Sequence, residues 1–151
     1  MRVITRDTWR AQPWKNGGGT TSEIWRTPDD GEYDVRVSLA EVTQSGPFSQ
    51  FPGDRRWSFL VGPGPIELVH EQAFELVARG DHIELPGESA IIANLRGGAT
   101  QLLNVLARIP IVAGFGPIAH PVRFVFTLDT SVARVFDPPE SVQTTDCVWI
   151  T

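Results

Sequence analysis

The sequence predicts an all-β fold, a sandwich or barrel of many short strands. Three observations carry that prediction. Apolar and polar residues alternate with period two, most plainly over Asp34-Val35-Arg36-Val37-Ser38-Leu39-Ala40. Turn signals recur roughly every 8–12 residues, and 14 glycines and 12 prolines supply them. Helical periodicity is nearly absent: Asp7-Thr8-Trp9-Arg10 offers one short turn, and Pro13 stops it.

The elements follow in chain order. The run from Trp14 to Gly19, with three consecutive glycines, leads into a strand-like stretch. There Thr20, Ser22 and Ile24 fall on one face and Thr21, Glu23 and Trp25 on the other. In the next strand Val35, Val37 and Leu39 share a face opposite Arg36, Ser38 and Ala40. Gly46 to Gly53 reads as an ordered loop, because Pro47 and Pro52 forbid regular ladder bonding. Trp57 to Val61 is a nearly buried strand closed by Gly62-Pro63-Gly64-Pro65. Ile66 to Val69 follows at once, so these two strands are expected to form a hairpin. Phe74–Val77 and His82–Leu85 flank Arg79-Gly80-Asp81, and Ala90–Leu95 and Gln101–Leu106 flank Gly97-Gly98. Val122–Phe126, Val132–Phe136 and the region of Val148 complete the set. No polar linker divides the chain, so residues 1–151 read as one compact domain.

Composition narrows the function. The chain is 41% hydrophobic and 21% charged, as in soluble globular proteins. Its net charge is −5, and Lys15 is the single lysine. No basic stripe forms, which argues against a nucleic-acid partner. One cysteine, Cys147, rules out an internal disulfide and a zinc site built on several thiolates. No signal segment and no membrane-length apolar run is present, so a cytoplasmic location without a membrane partner is expected.

The glycine run carries the strongest chemical hint. Consecutive glycines can point backbone N–H groups at an anion, with Lys15 adding charge. The alternative is a tight bend or bulge. A phosphate loop is excluded, since Gly19 is followed by Thr20-Thr21 and a strand. Glu23 and Arg36 lie on neighbouring predicted strands and can pair with each other or contact a ligand. Arg55 and Arg56 open a strand and point to opposite faces, so only one of them can hold a carboxylate at a barrel rim. A rival reading is a metal-dependent enzyme using His70, His82 and Glu84. The chain has no His-x-His motif, and no serine lies in a nucleophile elbow.

Trp14-Lys15-Asn16-Gly17-Gly18-Gly19-Thr20-Thr21 with Glu23-Ile24 resembles the signature of the HutD/Ves family. Arg36 to Val42 and Gly46-Pro47-Phe48-Ser49 leading to Phe51-Pro52-Gly53-Asp54-Arg55 are further matches in the family's order. Gly80-Asp81 and Asn104-Val105-Leu106 with Arg108 extend the likeness to residue 108. The resemblance implies a cupin-like (RmlC-like) β-barrel or jelly roll, a compact bicupin whose second half, residues 109–151, is reduced. It implies no cofactor and no bound metal. It also implies a non-catalytic protein that senses a carboxylated intermediate of histidine degradation, N-formylglutamate or urocanate, and regulates that pathway. By the same resemblance Arg55 would take the carboxylate. The chain is one residue short there, which leaves Arg56 as the other claimant. Asn16, Gly17, Gly18, Gly19 and Thr20 would supply hydrogen bonds, with Glu23, Arg36, Ser38, Ser49 and Asn104 around the ligand. The partner is then a small acidic metabolite, and exposed strand edges leave room for a homodimer. A closed interaction module with no polar cavity is the third reading.

Overall fold

The structure, a computed structural model, describes residues 1–151 as three antiparallel sheets in layers. The central sheet has six strands in the order β2 (Arg10–Pro13), β3 (Gly19–Thr27), β4 (Val35–Val42), β11 (Thr100–Ala107), β6 (Arg55–Leu60) and β9 (His82–Pro86). One outer sheet has four strands, β5 (Gly46–Pro47), β10 (Ile92–Leu95), β7 (Ile66–His70) and β8 (Gln72–Leu76). The other has five: β1 (Arg2–Ile4), β14 (Val132–Glu140), β13 (Val122–Thr127), β15 (Cys147–Ile150) and β12 (Ala113–Phe115). The single helical element is a 3-10 turn at Arg6–Thr8.

Period two explains why the central sheet has cover on both faces. Val35, Val37, Leu39, Trp57, Phe59, Leu103 and Val105 point one way and pack on Phe124, Phe126, Val148 and Ile150 of the five-stranded sheet. The opposite face is apolar at one end only. There Ala40, Val42, Leu60 and Leu102 pack on Ile66, Leu68, Leu76 and Ala93 of the four-stranded sheet. Further along the same face the register aligns Glu23, Ser38, Asn104 and Ser58 in one row, and Arg36, Leu106 and Arg56 in the next. A polar end cannot be sealed under an apolar sheet without loss of hydration. It is left as a hollow.

Two expectations are corrected. Trp57–Val61 and Ile66–Val69 do not form a hairpin: β6 pairs with β11 and β9, and β7 pairs with β8 and β10. The chain crosses layers at Gly62–Pro65, so Leu60 and Ile66 meet across the core of the sandwich. The connections from β8 to β9, β9 to β10 and β10 to β11 cross in the same way. The simple alternation in β3 also breaks. The register shifts between Glu23 and Trp25, so Ile24 is an extra, bulged residue. Ile24 and Trp25 both enter the large core while Glu23 keeps the polar face.

Candidate functional site

The hollow at the polar end of the central sheet has a volume of about 440 Å³. Its floor is built by alternation: Arg36, Ser38 and Ala40 of β4, Asn104 and Leu106 of β11, and Arg56 of β6. Residues 12–16 form one wall, and the loop carrying Phe48, Ser49 and Phe51 forms the other. Trp14 meets Phe48 edge-on at 5.8 Å and donates its indole N–H to Thr21 Oγ1 at 2.7 Å.

Arg56 dominates the electrostatics. It is only 4% exposed, and burial lowers its pKa to about 10. Its Nη1 donates to the Ser49 carbonyl at 3.1 Å, and its Nε lies 3.4 Å from Ser58 Oγ. The guanidinium lies 5.2 Å from the Phe48 ring centroid and 5.7 Å from that of Phe51. No carboxylate pairs with it. A guanidinium offers five N–H donors, so most of this fork faces no protein acceptor. Beside it, Ser58 donates to Asn104 Oδ1 at 2.6 Å. That bond fixes the amide so that its N–H₂ group is left for the hollow.

Arg36 differs. Its Nε donates to Glu23 Oε2 at 2.7 Å, and both side chains are largely buried. The expected neighbours therefore pair, and the pair leaves little net charge there.

The glycine run is a tight bend that supports the wall. Gly17 has φ +74°, and its N–H donates to Trp14 O at 3.1 Å. Gly18 N–H donates to Asn16 Oδ1 at 2.8 Å, and its carbonyl accepts from Thr43 and Gln44. A Cβ on Gly19 would lie 2.2 Å from the Glu41 carbonyl oxygen. Gly17 and Gly18 thus spend their N–H groups inside the protein, away from any ligand. Asn16 borders the hollow, whereas the three glycines and Thr20 do not; Thr21 takes the place expected of Thr20.

Arg55 lies elsewhere. Its Nε donates to Glu84 Oε2 at 2.7 Å on the opposite face of the sheet, in a shallow groove with Arg108. Strand parity is the reason: Arg55 shares its face with Trp57 and Phe59, Arg56 with Ser58 and Leu60. The structure therefore brings together Asn16, Glu23, Arg36, Ser38, Ser49 and Asn104, and sets Arg56 rather than Arg55 among them.

The three residues of the metal reading are dispersed. His70 is on β7, in a different sheet from β9, and its Nδ1 lies 3.0 Å from Ala90 O. His82 stacks on Phe59 at 4.6 Å. Glu84 accepts from Arg55 and from Trp57 Nε1 at 3.1 Å. No group of three or more His, Cys, Asp or Glu side chains gathers anywhere in the chain.

Behind the loop wall sits a charge network. Asp54 accepts from Tyr33 Oη and from Arg108 Nε, the latter at 3.0 Å, and Arg108 lies over the Tyr33 ring at 4.6 Å. Burial, then the Asp54 hydrogen bond, push the Tyr33 phenol up to about 12. The chain has one tyrosine, so tyrosinate absorbance reports this group alone. A pH jump should show ionisation near 12, and Asp54→Ala should move it toward the ordinary value of about 10. The folded state holds this proton more tightly than the unfolded one. Its stabilising contribution is thus present below about pH 10 and is lost between 10 and 12. Ionisation already at the ordinary value in the folded wild type would contradict the network.

A family model described as HutD matches residues 6–135. An uncharacterized 21.2 kDa protein in the hutC 3′ region of Pseudomonas putida is 34% identical over 109 residues, 70% of this chain and 57% of that protein. Protein Ves of Citrobacter koseri is 33% identical over 98 residues, 63% of this chain and 51% of Ves. The chain thus spans little more than half the length of these curated relatives. The structure of HutD from Pseudomonas fluorescens SBW25, described as a formate condition, superposes with a TM-score of 0.83 at 22% identity, covering 99% of this chain and 96% of that one. An RmlC-like cupin from Shewanella frigidimarina gives a TM-score of 0.53 at 10% identity over 70% of this chain and 88% of that one. The fold is cupin-like.

Proposed function

The chain belongs to the HutD family, and from that membership and the charge of its hollow we propose that it binds a small carboxylate-bearing metabolite without transforming it. One observation carries the reading: Arg56 is buried in the hollow with no acidic partner. A buried cation is costly unless paired, and a bidentate carboxylate supplies the missing acceptors. Asn104 and Ser38 then orient the rest of the ligand, and Arg36, held by Glu23, offers its remaining N–H donors. No histidine, cysteine or carboxylate borders the hollow, which supports binding over turnover.

The Pseudomonas putida relative is named for the hutC region. That name supports a carboxylated intermediate of histidine degradation, N-formylglutamate or urocanate, as the metabolite sensed in the cytoplasm to regulate that pathway. A thermal-shift panel tests this. N-formylglutamate, urocanate or formate should raise the unfolding temperature, and neutral amide analogues should not. Mass action sets the size, about 2.7 kcal/mol at a hundred times Kd. Absence of a shift with every acid, at concentrations where weak binders saturate, rejects the proposal.

A further inference from the structure

A second cavity, of about 680 Å³, shares no lining residue with the hollow. It opens beside Trp25–Thr27, a free strand edge, because β2 pairs with β3 only as far as Glu23. Its floor is a break in the five-stranded sheet. Val122 pairs with Glu140 and Phe124 with Val135, so Phe136–Pro139 of β14 stand opposite Arg123 alone. Pro138 and Pro139 have no N–H for the ladder. Such a break re-aims a side chain, and here Arg123 lines the cavity. Its Nε is closed off from solvent and has no hydrogen-bond partner. No carboxylate pairs with its guanidinium. Arg2 and Arg26 line the same cavity. Arg26 donates to the carbonyls of Pro28 and Gly31, which leave its charge uncompensated. Arg2 reaches Asp29 only at 3.9 Å, with both side chains exposed. Three guanidinium groups thus face two carboxylates, Asp29 and Asp137, in a chain whose net charge is −5.

We propose that this cavity binds a phosphate group, free or carried by a small monoester, on Arg123 with Arg2 and Arg26 beside it. The site is independent of the hollow and of what the hollow takes. A shielded N–H without an acceptor carries a desolvation cost, and a bound anion is one of its standard explanations. The guanidinium fork matches phosphate oxygens two at a time. Guanidinium groups on three strands, β1, β3 and β13, suit a tetrahedral anion with several oxygens better than a planar carboxylate with two. Trp25 and Phe136, both nearly buried, make part of the wall apolar and strengthen the attraction there. Asp29 and Asp137 set the upper limit on charge. One phosphate is balanced by the arginines, whereas a polyphosphate would bring further anions against the two carboxylates.

Calorimetric titration of the full chain with inorganic phosphate, ribose 5-phosphate and acetate, at fixed ionic strength, tests this. Arg56→Met provides a background in which the hollow has lost its cation. Phosphate or its monoester should bind equally well to the wild type and to that background. In the background, acetate should bind about 10-fold more weakly or worse. Arg123→Met should weaken phosphate binding about 10- to 100-fold. Arg2→Glu reverses an exposed charge at no cost to the core. It should weaken binding about 3- to 10-fold, and it decides the matter if the Arg123 variant does not fold. Tighter binding of ribose 5-phosphate than of phosphate would make a monoester the occupant, and the reverse would make it free phosphate. Phosphate binding abolished by Arg56→Met, or surviving both Arg123→Met and Arg2→Glu, would overturn the inference. So would acetate matching phosphate in the background, or no binding of either phosphate at about 10 mM.

Discussion

Arg56→Met should make the ligand-free protein more stable and abolish its response to acids. Burial lowers the Arg56 pKa to about 10, a penalty on the charged form of about 3 kcal/mol. Stacking against Phe48 and Phe51 and the bond to the Ser49 carbonyl offset part of that. Methionine keeps the apolar stem against the two rings and removes the unpaired charge. The net gain should be about 1–2 kcal/mol, or roughly 2–6 °C in unfolding temperature for a chain of this size. Acid affinity should fall about 100-fold or more, the usual loss when one partner of a desolvated charge pair is removed. Thermal unfolding with and without acid reads both effects. A large loss of stability with acid binding intact would show that Arg56 is a structural strut and that the ligand sits elsewhere.

Gly87→Ala should be among the most destabilising single changes in the chain. A Cβ there would stand 2.1 Å from the Phe51 carbonyl oxygen and 2.9 Å from that of Asp54. Both contacts are backbone, so no side chain can turn aside to relieve them. Gly87 also closes the loop, accepting from Phe51 N–H at 2.7 Å and donating to Asp54 O at 2.7 Å. The loop must shift as a unit, with Phe51 over Arg56 and Asp54 in the Tyr33–Arg108 network. The cost should be about 3 kcal/mol or more, read as a lower denaturant midpoint at unchanged slope. Gly53, in the same loop, provides the contrast. It has φ +87°, and a Cβ there would meet nothing within 4 Å, so Gly53→Ala should cost only about 1–2 kcal/mol. Equal costs for the two substitutions would remove steric closure as the explanation.

The strands are legible in the sequence because a sandwich imposes period two. Val35-Arg36-Val37-Ser38-Leu39 declares both faces, and the structure uses both. The pairing is less legible. A glycine-proline turn looks the same whether it folds a strand back on its neighbour or carries it to another layer, as Gly62–Pro65 does. The bulge at Ile24 is hidden too, since Glu23-Ile24-Trp25 reads as ordinary alternation until both apolar residues are found in one core.

Asn16, Arg36, Ser38, Ser49 and Asn104, singled out in the sequence, line one hollow. The glycine run stands out in the sequence for a sound reason, but its restriction is steric: Gly19 has no space for a side chain. The choice between Arg55 and Arg56 has a usable signal. Trp57 and Phe59 are the bulky core residues of their strand, so Arg55 shares their face and Arg56 takes the other. Trp14, Thr21 and Phe51 carry no such signal, because each contributes through a neighbour that only the folded wall supplies.

A crystal structure of the protein grown with N-formylglutamate or glutarate would test the carboxylate site most directly. The geometry predicts a carboxylate in the hollow, both oxygens within hydrogen-bond distance of the Arg56 guanidinium, with Asn104 alongside. An acid bound instead in the Arg55–Arg108 groove, or an occupied hollow whose carboxylate turns away from Arg56, would contradict it.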